Sequence, residues 1–223
     1  VSWLWEFGDP ASGAQNTSSL QNPTHLFTSS GTFDVLLIVR NVEGCTDTII
    51  SPVDVGTPPM VSCTTDPDSA CVDTEITFTG SASSNVSWQW DFGDGNTSVL
   101  QNPVHVYTAA GTYQVSVTVV DAGGCTGSYT DAVTVNPLPV ASFAAPALPC
   151  SGSQVDFTDL SSPMNATISE WQWIFGDGSD TTIVAPGPVD VSHTYAGAGT
   201  YNVQLYIVNS NGCEDSTSFM LEV

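Results

Sequence analysis

Histidine is the residue type in this chain best suited to acid–base chemistry, and its three copies stand in equivalent places. His25, His105 and His193 each lie two residues before an aromatic residue. A catalytic histidine is not expected in every copy of a recurring pattern, and no Ser, Cys or carboxylate pair forms a constellation confined to one copy. The sequence therefore predicts structural hydrogen bonding for the histidines, and it predicts that the chain is not an enzyme.

Aspartate recurs in the same way, within Phe-Gly-Asp triplets that contain Asp9, Asp94 and Asp177. Asp beside Gly favours a turn, because glycine permits positive φ and a carboxylate accepts hydrogen bonds from backbone amides. The alternative is Ca²⁺ binding, since carboxylate oxygens are ligands that calcium prefers. Asp91 and Asp94 are the best pair for it because they flank one turn. No cofactor is required otherwise, and calcium is the one candidate.

The charge balance limits the partners that the chain can bind. It carries 23 acidic residues against one basic residue, which gives a formal net charge of -22. Nucleic acid is excluded as a partner, because phosphate binding needs Lys and Arg; the same deficit disfavours an anionic membrane surface. No segment reaches the roughly 20 apolar residues of a membrane span. We expect an acidic, self-repelling segment of a secreted or cell-surface protein.

The elements that must position these residues follow from an internal repeat. Each copy reads Trp-x-Trp-x-Phe-Gly-Asp, then His-x-aromatic, then Gly-Thr-aromatic, then Gly-Cys, and from the His onward the copies are offset by 80 and then 88 residues. Three ordered matches of this length do not arise by chance. We call the copies repeat 1 (1–57), repeat 2 (58–138) and repeat 3 (139–223), and predict one domain for each.

Strands rather than helices are indicated within each repeat. In repeat 2, Tyr113, Val115, Val117 and Val119 alternate with polar residues, which is the period of a strand with one buried face. Turn residues recur every several positions, as an all-β sandwich requires. The predicted fold class is therefore all-β.

Taken together, the Trp-x-Trp-Asp-Phe-Gly-Asp-Gly run at 88–95 and the motifs that follow it resemble the PKD (polycystic kidney disease) domain. The resemblance covers nearly the whole chain. It implies tandem immunoglobulin-like β-sandwich domains of seven strands, of the kind found in bacterial surface adhesins and beside the catalytic domains of secreted hydrolases. Repeat 1 departs from the pattern at Glu6 and Pro10, and repeat 3 at Ile174, which puts a shared Asp-dependent site in doubt but not the fold.

Two functions remain open on this basis. The first is a non-catalytic structural module of a long repetitive extracellular protein, used as a surface stalk, adhesin or filament subunit. Its partners would be other copies of the same protein, neighbouring repeats, or surface glycans or proteins. The alternative is a set of substrate-binding accessory domains of a secreted hydrolase. The flanking domains would distinguish the two.

Six cysteines without paired C-x-x-C spacing favour disulfides and an oxidising compartment over a zinc site. Repeat 3 contains only Cys150 and Cys213, which predicts a bond between them. The same geometry in repeat 2 pairs Cys71 with Cys125. Two cysteines are then left unpaired or paired externally: Cys45 and Cys63.

Repeat 1 lacks the residues that the other repeats place before their first Trp, including the strand equivalent to 75–79. Half a sandwich would expose its aromatic core and unpaired strand edges. Either the polypeptide continues upstream, or a neighbouring molecule supplies the strands as in donor-strand assembly.

An apolar patch on the solvent side of repeat 1 is a candidate interaction surface. Leu4, Leu36 and Ile38 stand where repeats 2 and 3 carry mostly polar residues. Exposed apolar clusters tend to mark contacts, and coverage by the missing segment is the alternative.

Four Asp-Ser/Thr-x triplets resemble the acceptor motif of a bacterial O-glycosylation system. The candidate acceptors are Thr48, Ser69, Thr181 and Ser216.

Overall fold

The computed structural model describes residues 1–187 and 189–223, and strands dominate it. The predicted all-β class and the immunoglobulin-like sandwich are confirmed. The chain forms two compact units, one of residues 1–61, 82–87 and 118–128 and one of residues 62–81, 88–117 and 129–223. None of the described residues belongs to a helix long and apolar enough to cross a membrane.

Repeat 1 folds as a single antiparallel sheet of four strands in the order β2-β1-β3-β4. A short 3-10 helix, Pro10–Asn16, follows the first strand. The strands are β1 (Ser2–Glu6), β2 (Thr17–Ser18), β3 (Gly31–Arg40) and β4 (Thr46–Val55).

Repeat 2 contains two sheets: one is equivalent to the sheet of repeat 1, and the second packs as an additional layer. Its two sheets have the orders β10-β7-β5 and β6-β12-β11-β8-β9. The strands are β5 (Val61–Asp66), β6 (Ser69–Cys71), β7 (Glu75–Ala82), β8 (Val86–Asp91), β9 (Thr97–Ser98), β10 (Val104–Val106), β11 (Gly111–Asp121) and β12 (Thr126–Asn136).

Repeat 3 repeats this architecture with the sheet orders β13-β14-β17 and β16-β15-β18-β19. Its strands are β13 (Phe143–Ala144), β14 (Gln154–Asp159), β15 (Ile168–Ile174), β16 (Asp180–Val184), β17 (Val191–Thr194), β18 (Thr200–Asn209) and β19 (Glu214–Glu222).

The core of repeat 3 lies between its two sheets, because alternate residues of each strand point inward. Val155 and Phe157 from β14 are fully buried, as are Trp173 from β15 and Val203 and Leu205 from β18. The Phe157 and Trp173 rings lie 5.8 Å apart between centroids. The inward-facing half of the repeat motif thus forms the core.

Repeat 1 has no equivalent of the second sheet among its described residues, and its inner face is open. Val53 on β4 is 37% exposed, whereas the equivalent Val133 and Leu221 are 1% and 0% exposed. Trp5 is only partly buried, although its counterpart Trp90 is completely buried. The exposed core predicted for repeat 1 is therefore present in the structure.

Candidate functional site

An aspartate and a histidine meet at the same place in every repeat. The histidine Nε2 lies 3.3 Å from the carboxylate in Asp9–His25, 2.8 Å in Asp94–His105 and 2.7 Å in Asp177–His193. An ionised carboxylate only accepts hydrogen bonds, so Nε2 carries the proton and donates it. The sequence placed each residue type in every repeat but did not predict that the two would pair.

The histidine ring is held by aromatic rings on two sides. In repeat 2, His105 stacks on Phe92 at 4.2 Å and 7°, and meets Tyr107 edge-on at 4.5 Å and 82°. The Tyr107 hydroxyl donates to the Phe92 carbonyl at 2.9 Å, and burial is the main cause that raises the Tyr107 pKa. The same contacts recur in repeat 3, where the pKa of Tyr195 rises to about 12.

The glycine before each aspartate lets the turn form. Gly93 has a φ of 80°, and a Cβ atom there would lie 2.5 Å from the Gln114 carbonyl oxygen on β11. Both the backbone angle and the close approach exclude a side chain. This contact fixes the position of Asp94 relative to the sheet.

The carboxylates have hydrogen bonds beyond those to histidine. Asp94 accepts from the Asn96 backbone and side-chain amides, each at 3.0 Å. Burial raises the pKa of Asp94, but the bonds from Asn96 and His105 outweigh it and the pKa lies below its ordinary value. Asp9 is almost fully buried and accepts two bonds from Thr28, at 3.0 and 2.8 Å. These carboxylates serve as anchors of the turn.

We expect acid to weaken repeat 3 through Asp177. Burial alone would raise the pKa of Asp177, but the hydrogen bonds from Ser179 and His193 have the larger, opposite effect and bring the pKa down to about 2. An unfolded Asp titrates near pH ~3.9, so this carboxylate stabilises the fold above about pH 4, and the stabilisation is lost as the pH falls towards 2. Urea midpoints measured across this range should fall less for Asp177→Asn than for the wild type. Asp180→Asn, at an exposed position, is the control; equal slopes in all three proteins would contradict the assignment.

The predicted calcium pair lies at one turn of repeat 2. Asp91 accepts a bond from the Gly93 amide at 2.9 Å, and Asp94 is bound as described above. Across residues 1–187 and 189–223, no three side chains of His, Cys, Asp or Glu come together in a way that could hold a metal ion. Calcium binding at Asp91 and Asp94 stays a prediction.

The cysteine pairing differs from the prediction. The disulfide joins Cys71 to Cys213, with the Cα atoms 5.6 Å apart. The predicted bonds Cys71–Cys125 and Cys150–Cys213 do not form, because Cys71 lies beside Asn136 at the end of β12, where its sulfur bonds Cys213 in the last hairpin of repeat 3. In the part of the chain that the structure describes, the cysteines without a disulfide are Cys45, Cys63, Cys125 and Cys150.

The predicted apolar patch is on one face of the repeat 1 sheet. Leu4 stands directly opposite Ile38, and Leu36 stands opposite Ile50. Leu4 is 41% and Ile50 63% exposed, whereas Leu36 and Ile38 are partly buried. Its role in self-association stays a prediction.

The four candidate O-glycosylation acceptors also stay predictions. Three are exposed and the fourth, Thr181, is partly buried on β16. The exposed ones are Thr48, Ser69 and Ser216.

Comparison with known proteins agrees with the repeat structure. The family model for the PKD domain matches residues 1–55, 56–135 and 136–223. This chain belongs to the PKD domain family. The PKD domain is a non-catalytic module, and the PKD matches extend over all three repeats.

The PKD repeats are similar to parts of bacterial proteases. Collagenase ColA of Bacillus cereus is 45% identical over 74 residues, which is 31% of this chain and 8% of the collagenase. Pre-pro-metalloprotease PrtV of Vibrio cholerae is 30% identical over 130 residues, 57% of this chain and 13% of PrtV. The chain thus spans only a small part of either relative.

Among solved structures, the crystal structure of the PKD1 domain from Vibrio cholerae metalloprotease PrtV is similar to one part of the chain. It is 27% identical, covers 39% of this chain and 96% of that domain, and has a TM-score of 0.33.

Proposed function

We propose that this chain is a non-catalytic spacer within a longer extracellular protein, in which PKD repeats form a stalk or filament subunit. The observation that carries the proposal is the disulfide between Cys71 and Cys213. It joins repeat 2 to repeat 3 in addition to the peptide backbone. A covalent bond of this kind limits how far a chain can extend under load.

Uniformity of the repeats supports the proposal. The Asp–His pair recurs in all three, with the His ring stacked on Phe at 4.2 Å each time. Catalytic or ligand-specific residues would be expected in one repeat only. The recurring residues instead build the same turn three times, as repetition of a structural unit requires.

Composition and redox chemistry support an extracellular location. Disulfides persist in oxidising compartments. The net charge of -22 makes neighbouring copies repel one another and keeps an extended protein dispersed.

Single-molecule stretching from the two termini tests the proposal. The bond should shield a stretch of 142 residues from extension, which at roughly 3.5 Å per residue is about 50 nm of contour length. We expect the oxidised chain to extend to a contour about that much shorter than the reduced chain.

Cys71→Ser supplies the control for this measurement. This variant should reach the longer contour without reductant. Equal contour lengths for oxidised and reduced wild-type protein would contradict a spacer with a covalent limit.

A second function is favoured by the 45% identity with collagenase ColA. As an accessory part of a secreted hydrolase, the chain would hold the enzyme on an insoluble substrate such as collagen. Co-sedimentation with insoluble collagen separates the two functions. Retention in the pellet supports the accessory role, and protein left in the supernatant supports the spacer.

A further inference from the structure

In all three repeats, the cysteine directly before the last strand makes the same backbone hydrogen bonds. In repeat 2, the Cys125 amide donates to the Asp121 side chain at 2.9 Å, and its carbonyl accepts from the Asp121 amide at 3.0 Å. The matching pairs are Cys45 with Asn41, at 2.9 and 3.0 Å, and Cys213 with Asn209, at 3.0 and 2.9 Å. The three thiols therefore have equivalent settings.

The surroundings of Cys213 show what such a thiol binds. Its partner Cys71 ends β6, which runs parallel to the end of β12 with Cys71 beside Asn136. Asn136 also accepts a hydrogen bond from Asn211 of the hairpin in repeat 3, at 3.1 Å. The last strand of repeat 2 thus reaches the hairpin of repeat 3, and the early strand beside it supplies the thiol.

The end of the preceding repeat also lies beside Cys125, but Cys125 has no disulfide partner in the described chain. Gly56 follows β4 and is equivalent to Asn136. It lies so close that a Cβ atom there would be 2.6 Å from the Cys125 Sγ. The last strand of repeat 1 therefore reaches the hairpin of repeat 2 as in the bonded case, and only the early strand is missing.

The open inner face of repeat 1 needs the same segment. Trp5, Leu37 and Ile49 stand opposite one another across β1, β3 and β4, and Ile49 is 62% exposed. In repeat 2 this layer is covered from β7, whose Ile76 and Phe78 are completely buried. One segment that carried a cysteine and then alternating apolar residues would both cover the face and reach Cys125.

We propose that such a segment of the same polypeptide, with the pattern of residues 69–80, completes repeat 1 and forms a disulfide with Cys125. The bond from an early strand to the hairpin of the next repeat would then recur along the array. This inference goes beyond the spacer function and does not depend on it. Within residues 1–187 and 189–223, the equivalent segments of a second copy are already paired inside their own repeats: β6 pairs with β12, β7 with β10, and β14 with β17.

The chemistry requires an oxidant of the disulfide class. Two thiols of the protein form one S–S bond, and oxidised glutathione is reduced to two molecules of glutathione, which take up the two hydrogens.

A grafted chain tests the proposal. Residues 56–85 are placed directly before Val1, because Val1 is equivalent to Val86. In the graft, Cys63→Ser removes a second thiol, and Ser69→Thr marks the fragment that contains the grafted Cys71 by its mass. After refolding with oxidised glutathione, digestion with an Asp-specific protease without reductant should give the marked fragment linked to the Cys125 fragment. Cys125 should react with N-ethylmaleimide in the original chain, where it is free, and should lose this reactivity in the graft.

Three outcomes would overturn the proposal. A marked fragment linked to Cys45 would show bonding within a repeat, and disulfide-linked dimers would show donation by a second molecule. A free Cys125 would show that no disulfide forms at this position. A matched graft in which only the grafted copy of Cys71 is replaced by serine separates docking from bonding. In this variant, hydrogen-exchange protection of β3 should increase while Cys125 stays reactive. Unchanged protection would mean that this segment does not complete repeat 1.

Discussion

Replacing Cys71 by serine should lower the free energy of unfolding of repeats 2 and 3 by about 4 to 5 kcal/mol. The bond to Cys213 closes a loop with a sequence separation of 142 residues. A cross-link restricts the unfolded chain more as the loop grows, so a long loop gives a large effect. Urea unfolding under non-reducing conditions, followed by far-UV circular dichroism, measures the loss.

Two further variants make this result specific to the bond. Cys71→Ser combined with Cys213→Ser should cost little more than Cys71→Ser alone, because both remove one interaction. Cys150→Ser should leave stability unchanged, because that thiol is exposed and unbonded. A stable Cys71→Ser protein, or a loss on Cys150→Ser, would contradict the observed pairing.

Trp90→Ala should destabilise repeat 2 by about 3 to 5 kcal/mol. The Trp90 side chain is completely buried, lies 5.6 Å from Phe78 between ring centroids and donates from Nε1 to the Leu100 carbonyl at 2.8 Å. Removal leaves a cavity between two sheets and an unpaired carbonyl. Native-state hydrogen exchange at the β11 amides reports the change in the free energy of opening.

Trp5→Ala is the matched substitution in repeat 1. Trp5 makes the equivalent bond to Leu20, at 3.1 Å, but no second sheet covers it among the described residues. Its loss should lower protection of the β3 amides much less than Trp90→Ala lowers that of β11. Equal losses would show that repeat 1 has a closed core.

Much of the fold was predictable because short sequence patterns determine where the strands lie. The alternation of Tyr113, Val115 and Val117 gives β11, and the Trp-x-Trp spacing gives β8. Recurrence of these patterns identified the repeats and predicted the exposed inner face of repeat 1. Burial then followed, since strands alternate between two faces.

The disulfide was not predictable by the same means. Elimination within repeat 3 pairs Cys150 with Cys213, but it assumes that each repeat closes on itself. The observed bond between repeats takes one cysteine from each predicted pair and leaves four cysteines unpaired among the described residues, where the prediction left two. Only the position of the β12 end beside the hairpin of repeat 3 decides between them, and that contact is tertiary.

The Asp–His pairs lie between these two cases. The order of Asp94 and His105 recurs in every repeat, which was a signal that the two could meet. Their distance depends on how Gly93 approaches β11, and no local pattern encodes that approach.

The most direct test is the disulfide map of the unmodified, oxidised chain. Digestion with an Asp-specific protease without reductant, followed by mass spectrometry, should give the fragment of Cys71 linked to that of Cys213, with Cys125 and Cys150 alkylated. Cys71 linked to Cys125, together with Cys150 linked to Cys213, would contradict a covalent connection between successive repeats.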